Sequence, residues 1–258
     1  RSRVQEGINM ADAPRTVLIS GCSSGIGLEL AVQLARDPRQ RYQAAGEALG
    51  QTLTVAQLDV CSDESVAQCL SCIQGGEVDV LVNNAGVGLV GPLEGLSLAA
   101  MQNVFDTNFF GAVRLVKAVL PGMKRRRQGH IVVVSSVMGL QGVVFNEVYA
   151  ASKFAMEGFF ESLAVQLLQF NILTSLSLGP KAQGSTPQVI VKVIGSARPP
   201  LRRQTNTRYT PLIALKAMDP SGSLYVQTSH RLLFRWPRLL NLGLRCLACS
   251  CFRTPVWP

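Results

Sequence analysis

Three apolar runs that each end in a cluster of small polar residues restrict this chain to few architectures. Arg15-Thr-Val-Leu-Ile-Ser20 leads into Gly21-Cys-Ser-Ser-Gly25-Ile-Gly27, and Val78-Asp-Val-Leu-Val82 ends in Asn83-Asn84-Ala85-Gly86. The third, Gly129-His-Ile-Val-Val-Val-Ser-Ser136, ends in two hydroxyls. Short β-branched runs without polar alternation read as strands covered on both faces. Helical periodicity follows from Leu28 to Ala35. Strands separated by helices imply a parallel sheet with right-handed crossovers, so the fold class expected is α/β with a doubly wound parallel sheet. In such a sheet ligands bind beyond the carboxyl ends of the strands, and all three polar endings fall on that edge.

The pattern predicts strands at 15–20, 52–58, 78–82, 129–135 and 172–177. It predicts helices at 25–35, 63–73, 97–120, 147–169 and 187–195. Ser97 and Ser185 or Thr186 read as N-caps, and Pro187 suits a first helical turn.

Two motifs on that edge carry chemistry. A strand, a Gly-rich turn and a helix form the setting in which glycines let the backbone approach a pyrophosphate at the positive helix end. The spacing here is G-x-x-x-G-x-G, and by itself such a cluster is only a loop. Tyr149 and Lys153 stand one helical turn apart in Y-A-A-S-K, on one helix face, with Ser135-Ser136 upstream. At about 5 Å and an effective dielectric near 20, the ammonium would favour a phenolate by roughly 3 kcal/mol, about two pKa units. That predicts a tyrosine able to exchange protons near neutral pH. Alone, the spacing also describes a half-buried aromatic beside a solvated lysine.

Taken in order, the glycine turn, N-N-A-G, the serine and Y-x-x-x-K resemble the short-chain dehydrogenase/reductase family, with its Rossmann-like fold. Thr16–Leu28, Asp106-Thr-Asn-Phe-Phe-Gly111 and Val148–Phe154 are most similar to a subgroup acting on retinoids and hydroxysteroids, and the Arg-rich carboxyl tail to its retinoid members. The resemblance spans residues 14–178 and 187–258. It implies NADP(H)-dependent hydride transfer between all-trans-retinal and all-trans-retinol, with 17β-hydroxysteroids as the alternative substrate. Tyr149 would be the acid in reduction and the base in oxidation. Lys153 would lower its pKa and hold the nicotinamide ribose, and Ser136 would bind the substrate oxygen. Ser135 would simply pack at the strand end.

Asn108 matches the family asparagine that kinks the following helix and holds a relay water; the plain alternative is a solvent-facing helix residue. Gly21, Ser23, Gly25, Ile26 and Gly27 would cradle the cofactor phosphates. Asp59, closing the strand 52–58, would accept from the adenine amino group. Asn84, Ala85 and Gly86 would line the adenosine ribose. Family precedent also implies a dimer through the helices at 97–120 and 147–169, although their apolar faces equally serve the core.

The chain departs from the family pattern twice. Residues 36–51, with Pro38, Gly46 and Gly50, are too few for the strand and helix expected there, and Arg39 and Arg41 are the candidates to meet a 2′-phosphate. Between Gly179 and Thr186 the substrate-covering segment is mostly missing, and Thr186 lies too far on to match the family threonine. These gaps keep a third reading in play: a catalytically inactive, membrane-associated variant. The domain organisation expected is an extension over 1–13, a dinucleotide-binding catalytic domain over 14–197 and a tail over 198–258.

The formal net charge of +9 belongs to that tail. Residues 1–197 hold 15 basic and 15 acidic residues, whereas residues 198–258 hold 10 basic ones against Asp219 alone. Between Arg231 and Arg245 basic and large apolar side chains interleave, a pattern suited to a membrane surface. A nucleic-acid partner is disfavoured, because no recognised motif is present and aromatics make up 6% of the residues. Cys246, Cys249 and Cys251 lie in the same stretch and are candidates for reversible acylation, giving the two signals that stable anchoring takes. The other four cysteines read as reduced thiols. Cys69-x-x-Cys72 and Cys246-x-x-Cys249 lack histidines at metal-ligand spacing, so no metal is expected. No run of eighteen uncharged apolar residues occurs. Residues 1–9 precede Met10, the expected natural start, and have no apolar core, so no signal peptide is expected. The expectation is a peripheral enzyme on the cytoplasmic face of a membrane.

Overall fold

The computed structural model describes residues 15–36, the backbone of 42–43, 53–178, 185–205, 210, 214, 218, 219 and 221–235. The expected extension 1–13, Arg39, Arg41, Cys246, Cys249 and Cys251 lie outside the described residues.

Residues 1–206 form one unit. Its strands are β1 (Arg15–Ile19), β2 (Tyr42–Gln43), β3 (Val80–Asn83), β4 (Gly129–Ser135), β5 (Ile172–Leu178) and β6 (Arg202–Gln204). They form a parallel sheet of order β2-β1-β3-β4-β5-β6. The helices are α1 (Gly25–Arg36), α2 (Asp63–Ser71), α3 (Leu98–Phe105), α4 (Gly111–Arg126), α5 (Glu147–Leu167) and α6 (Ser185–Ile194).

Successive strand residues point to opposite faces, and each face has its own core. Leu81, Ile131 and Val133 pack with Leu115, Val119, Met156 and Phe160 beneath α4 and α5. Val80, Val82, Val132 and Val134 pack with Leu30, Leu34, Ile190 and Ile194 beneath α1 and α6. The doubly wound α/β class follows from this two-sided burial.

Local sequence accounts for several boundaries. Ser62 caps α2 by accepting from Ser65 N, and Ser97 caps α3 by accepting from Ala100 N at 3.2 Å. The helix expected over 97–120 is instead α3, a single π turn at Asp106–Phe110, and α4, which continues to Arg126. Arg127 ends it in the left-handed region at φ 51°. Its guanidinium donates to the Gln169 carbonyl at 2.6 Å.

One expectation is corrected. Residues 53–58 form no strand, because the two-residue β2 offers too little edge for a further strand to pair on. The short stretch between α1 and residue 52 holds the strand β2, reduced to its pairing with Arg15 and Thr16. The sheet itself continues past residue 197. Arg202–Gln204 pair with Leu176–Leu178, and the boundary falls between Asn206 and Thr207. Arg202 anchors this edge strand by donating to Glu157 at 2.8 Å and to Glu161 at 2.5 Å on α5.

The second unit, residues 207–258, includes helix α7 (Ser223–His230), followed by a π turn at Arg231–Arg235. Among the described residues no helix is long and apolar enough to cross a membrane.

Candidate active site

The carboxyl edge of the sheet gathers most of the residues singled out by sequence. Gly21 follows β1 at φ 69°, a left-handed turn that favours glycine. A Cβ there would stand 2.8 Å from Ala85 Cα, and one at Gly27 would stand 2.5 Å from Asn84 Nδ2. The turn after β1 therefore lies directly against the N-N-A-G segment after β3. Asn84 holds the two together, its Nδ2 donating at 2.9 Å to the carbonyls of both Ser20 and Gly21. Ser20, which sequence reasoning passed over, is buried, and its Oγ accepts from the backbone N–H groups of Asn84 and Ala85 at 3.1 Å. The signal was available: Ser20 ends its strand as Ser135 ends β4.

Ser23, Ser24 and Gly25 stand exposed at the start of α1. Gly25 has φ 61° and no heavy atom within 4 Å of a Cβ position. An open glycine turn at the amino end of a twelve-residue helix fits a pyrophosphate, with free backbone N–H groups and the positive helix end facing it. Ile26 turns the other way and packs against the α1/α6 core.

Asn108 sits in the π turn and is fully buried, which overturns the solvent-facing alternative. Its Oδ1 accepts from Val87 N at 2.7 Å, and its Nδ2 donates to the Val87 carbonyl at 2.9 Å and to Ser152 Oγ at 3.0 Å. Ser152, also fully buried, donates onward to the Tyr149 carbonyl at 2.7 Å. Sequence reasoning missed Ser152 as well, although it is the serine of Y-A-A-S-K. A Cβ on Gly86 would lie 3.2 Å from Asn108 Oδ1 and 3.7 Å from Lys153 Nζ. Asn108, Gly86 and Lys153 thus share one small space. π turns inside α-helices recur at such sites because the extra residue re-aims a side chain.

Ser136 stands beside the Tyr149 phenol, where its hydroxyl acts to lower the phenol's pKa. Ser136 Oγ also accepts from Met138 N at 3.1 Å, which fixes its orientation. Ser135 is buried at the strand end, as expected. Lys153 is buried, donates from Nζ to the Val134 carbonyl at 3.0 Å, and lies 5.7 Å from the centroid of the Tyr149 ring.

The expected net drop in the phenol's pKa is not found. Burial pushes the Tyr149 phenol above its ordinary value, and the Ser136 hydroxyl offsets only part of that rise. Desolvation dominates at the phenol. Tyr149 therefore keeps its proton through neutral pH and can donate it.

Asp59 stands apart. It is exposed, it closes no strand, and its Oδ1 accepts from Cys61 N at 2.9 Å. Among the described residues no group of three or more His, Cys, Asp and Glu side chains is placed to hold a metal ion.

Comparison with known proteins fits this geometry. The family model for short chain dehydrogenases matches residues 15–180. The chain is 75% identical to retinol dehydrogenase 8 of Bos taurus over 311 aligned positions, covering 96% of this chain and 100% of the relative. That alignment is longer than the chain's 258 residues, so the chain lacks internal stretches that the bovine protein has. It is 39% identical to 17-beta-hydroxysteroid dehydrogenase type 1 of Homo sapiens, covering 86% of this chain and 87% of the relative. Among solved structures, a metagenomic short-chain oxidoreductase in complex with NADP superposes with a TM-score of 0.65 at 26% identity, over 75% of this chain and 97% of that one. This chain belongs to the short-chain dehydrogenase family and is an alcohol dehydrogenase-like oxidoreductase.

Proposed function

We propose that this chain interconverts all-trans-retinal and all-trans-retinol with NADP(H), at the inner face of a membrane to which the basic tail holds it. The observation that carries the substrate is the 75% identity to a retinol dehydrogenase along that relative's whole length. The phosphorylated cofactor is supported by the NADP complex of a 26% identical structure.

A bound nicotinamide supplies hydride to the carbonyl carbon in reduction and takes it up in oxidation. Tyr149 Oη gives its proton to the substrate oxygen in reduction and recovers one in oxidation. The hydroxyl of Ser136, beside the phenol, steadies that oxygen as charge develops. Lys153 stands over the ring and against Gly86, where it would hold the ribose of a bound cofactor, and it tempers the phenolate that reduction leaves behind. Asn108 fixes the loop after Gly86 and, through Ser152, the turn of α5 that carries Tyr149. Gly21, Ser23, Gly25, Ile26 and Gly27 would hold the cofactor phosphates, Asn84, Ala85 and Gly86 would line its ribose, and Asp59 would accept from its adenine.

A 17β-hydroxysteroid is the second substrate reading, favoured by the 39% identical relative. An inactive membrane-associated variant is the third, favoured by the internal stretches the chain lacks. NADPH fluorescence during protein titration separates the third from the others: no binding at high micromolar protein removes the enzyme reading for this chain. With binding in hand, turnover of all-trans-retinal beside estrone decides the substrate.

A further inference from the structure

Two loops flank the tyrosine on the carboxyl edge of the sheet, and one residue joins them. Loop 87–91 follows the N-N-A-G segment and is pinned at its start, where Val87 exchanges two hydrogen bonds with the Asn108 amide. It is pinned again at its end, where Gly91 N donates to the Phe145 carbonyl at 3.0 Å. Phe145 belongs to the second loop, just ahead of α5, and its φ is 62°. A bulky aromatic in the left-handed region is an outlier that persists only where its surroundings hold it. Here the hold is explicit, since Phe145 N donates to Glu147 Oε1 at 2.9 Å, in the first turn of α5. The next carbonyl, that of Asn146, accepts from Ala150 N at 2.8 Å and opens the helix. Tyr149 therefore follows, within its first turn, a backbone kink clamped from both sides.

We propose that Phe145 is a positioning residue: its left-handed backbone, clasped by Gly91 and Glu147, sets where Tyr149 enters α5 and ties the Asn108 loop to the tyrosine. The clasp deepens the proposed dehydrogenase reading and acts through Tyr149, not through its own ring. What matters is the backbone conformation. Glycine and asparagine adopt it readily, and a β-branched residue does not.

The test compares Phe145→Val with Phe145→Gly and Phe145→Asn in the full chain. Phe145→Val should lower kcat about tenfold or more with KM for the carbonyl substrate and NADPH affinity within about twofold. Phe145→Gly and Phe145→Asn should keep kcat within about threefold. A Phe145→Gly variant as slow as Phe145→Val, or one whose only change is a raised KM, overturns the clasp, because then the ring itself is what counts. If Phe145→Val does not fold, Glu147→Ala against Glu147→Gln replaces it: only the alanine removes the acceptor for Phe145 N, and equal kcat in the two variants overturns the clasp.

A second readout needs no turnover. Tyrosinate absorbance, taken as the difference from the same protein carrying Tyr149→Phe, follows the phenol that faces Ser136 and the Lys153 ammonium. Phe145→Val should move that titration upward and Phe145→Gly should restore it. A wild-type chain that reduces neither retinal nor estrone, yet shows this shift and its rescue, sinks the substrate reading and leaves the clasp standing. An unmoved titration in Phe145→Val sinks the clasp whatever the turnover.

Discussion

The two ends of the sheet's carboxyl edge are built to different standards. Around Tyr149, the groups that matter are held by specific hydrogen-bond partners: Asn108 by Val87 and Ser152, Lys153 by Val134, Ser136 by Met138. Around Asp59 the scaffold is thin. The neighbouring strand is two residues long, residues 53–58 form no strand, and the carboxylate is exposed. The chemical end of the site thus rests on hydrogen bonds among the π turn, the loop after β3, β4 and α5, and does not depend on the region where the chain is short. Binding at the adenine end is the property that a shortened second strand should tax first.

That contrast can be broken most forcefully at the tyrosine. Tyr149→Phe removes the proton that the carbonyl oxygen takes up, so kcat should fall by about 10²–10⁴-fold while NADPH binding, followed by fluorescence, stays within about twofold. Retained turnover would mean that the proton comes from elsewhere. Next in size is Asn108→Ala, which strips partners from the Val87 backbone and from Ser152; urea unfolding should show a loss of about 3 kcal/mol, together with lower kcat. A loss below about 1 kcal/mol would show that the π turn does not need the amide.

His130 offers a comparable effect at the amino end of β4, away from the site. Its ring shares a hydrogen bond with Ser175 at 3.1 Å. Burial, with a smaller push from the Arg15 charge, lowers its pKa from 6.5 to about 4. The fold favours the neutral ring, so this stabilisation is complete above pH 6.5 and is lost as pH falls from there toward 4. The loss amounts to about 3 kcal/mol. Stability measured against pH should show that decline in the wild type and much less of it in His130→Gln. The smallest effect belongs to the thin end: Asp59→Ala should weaken NADPH binding by no more than about threefold, since an exposed carboxylate gains little from one hydrogen bond. A hundredfold loss would erase the contrast between the two ends.

The sequence was most legible where one residue type has one structural use. Apolar β-branched runs announced β1, β3, β4 and β5, Ser97 announced the start of α3, and the glycine spacing announced the turn that closes on Asn84. It was opaque where tertiary contact decides. Arg202-Arg203-Gln204 has no strand character of its own and becomes one only by pairing with β5 and by the grip of Arg202 on Glu157 and Glu161. The stretch expected as a strand at 52–58 has that character, yet its described residues 53–58 form no strand, because a strand needs an edge to join. The tyrosine–lysine spacing placed both side chains correctly, but the sign of the phenol's shift depended on burial, which spacing does not encode. Ser20 and Ser152 were overlooked because a buried serine looks like any other serine until its neighbours are known.

The grip of Arg202 also orders events during synthesis. Glu157 is buried on the helix that bears Tyr149 and Lys153, and its guanidinium partner lies 45 residues further along. A nascent chain halted before residue 202 therefore has to seat that helix with an uncompensated carboxylate beneath it, which is strongly unfavourable. Chains ending short of residue 202 should therefore hold the catalytic helix less firmly than the full chain does.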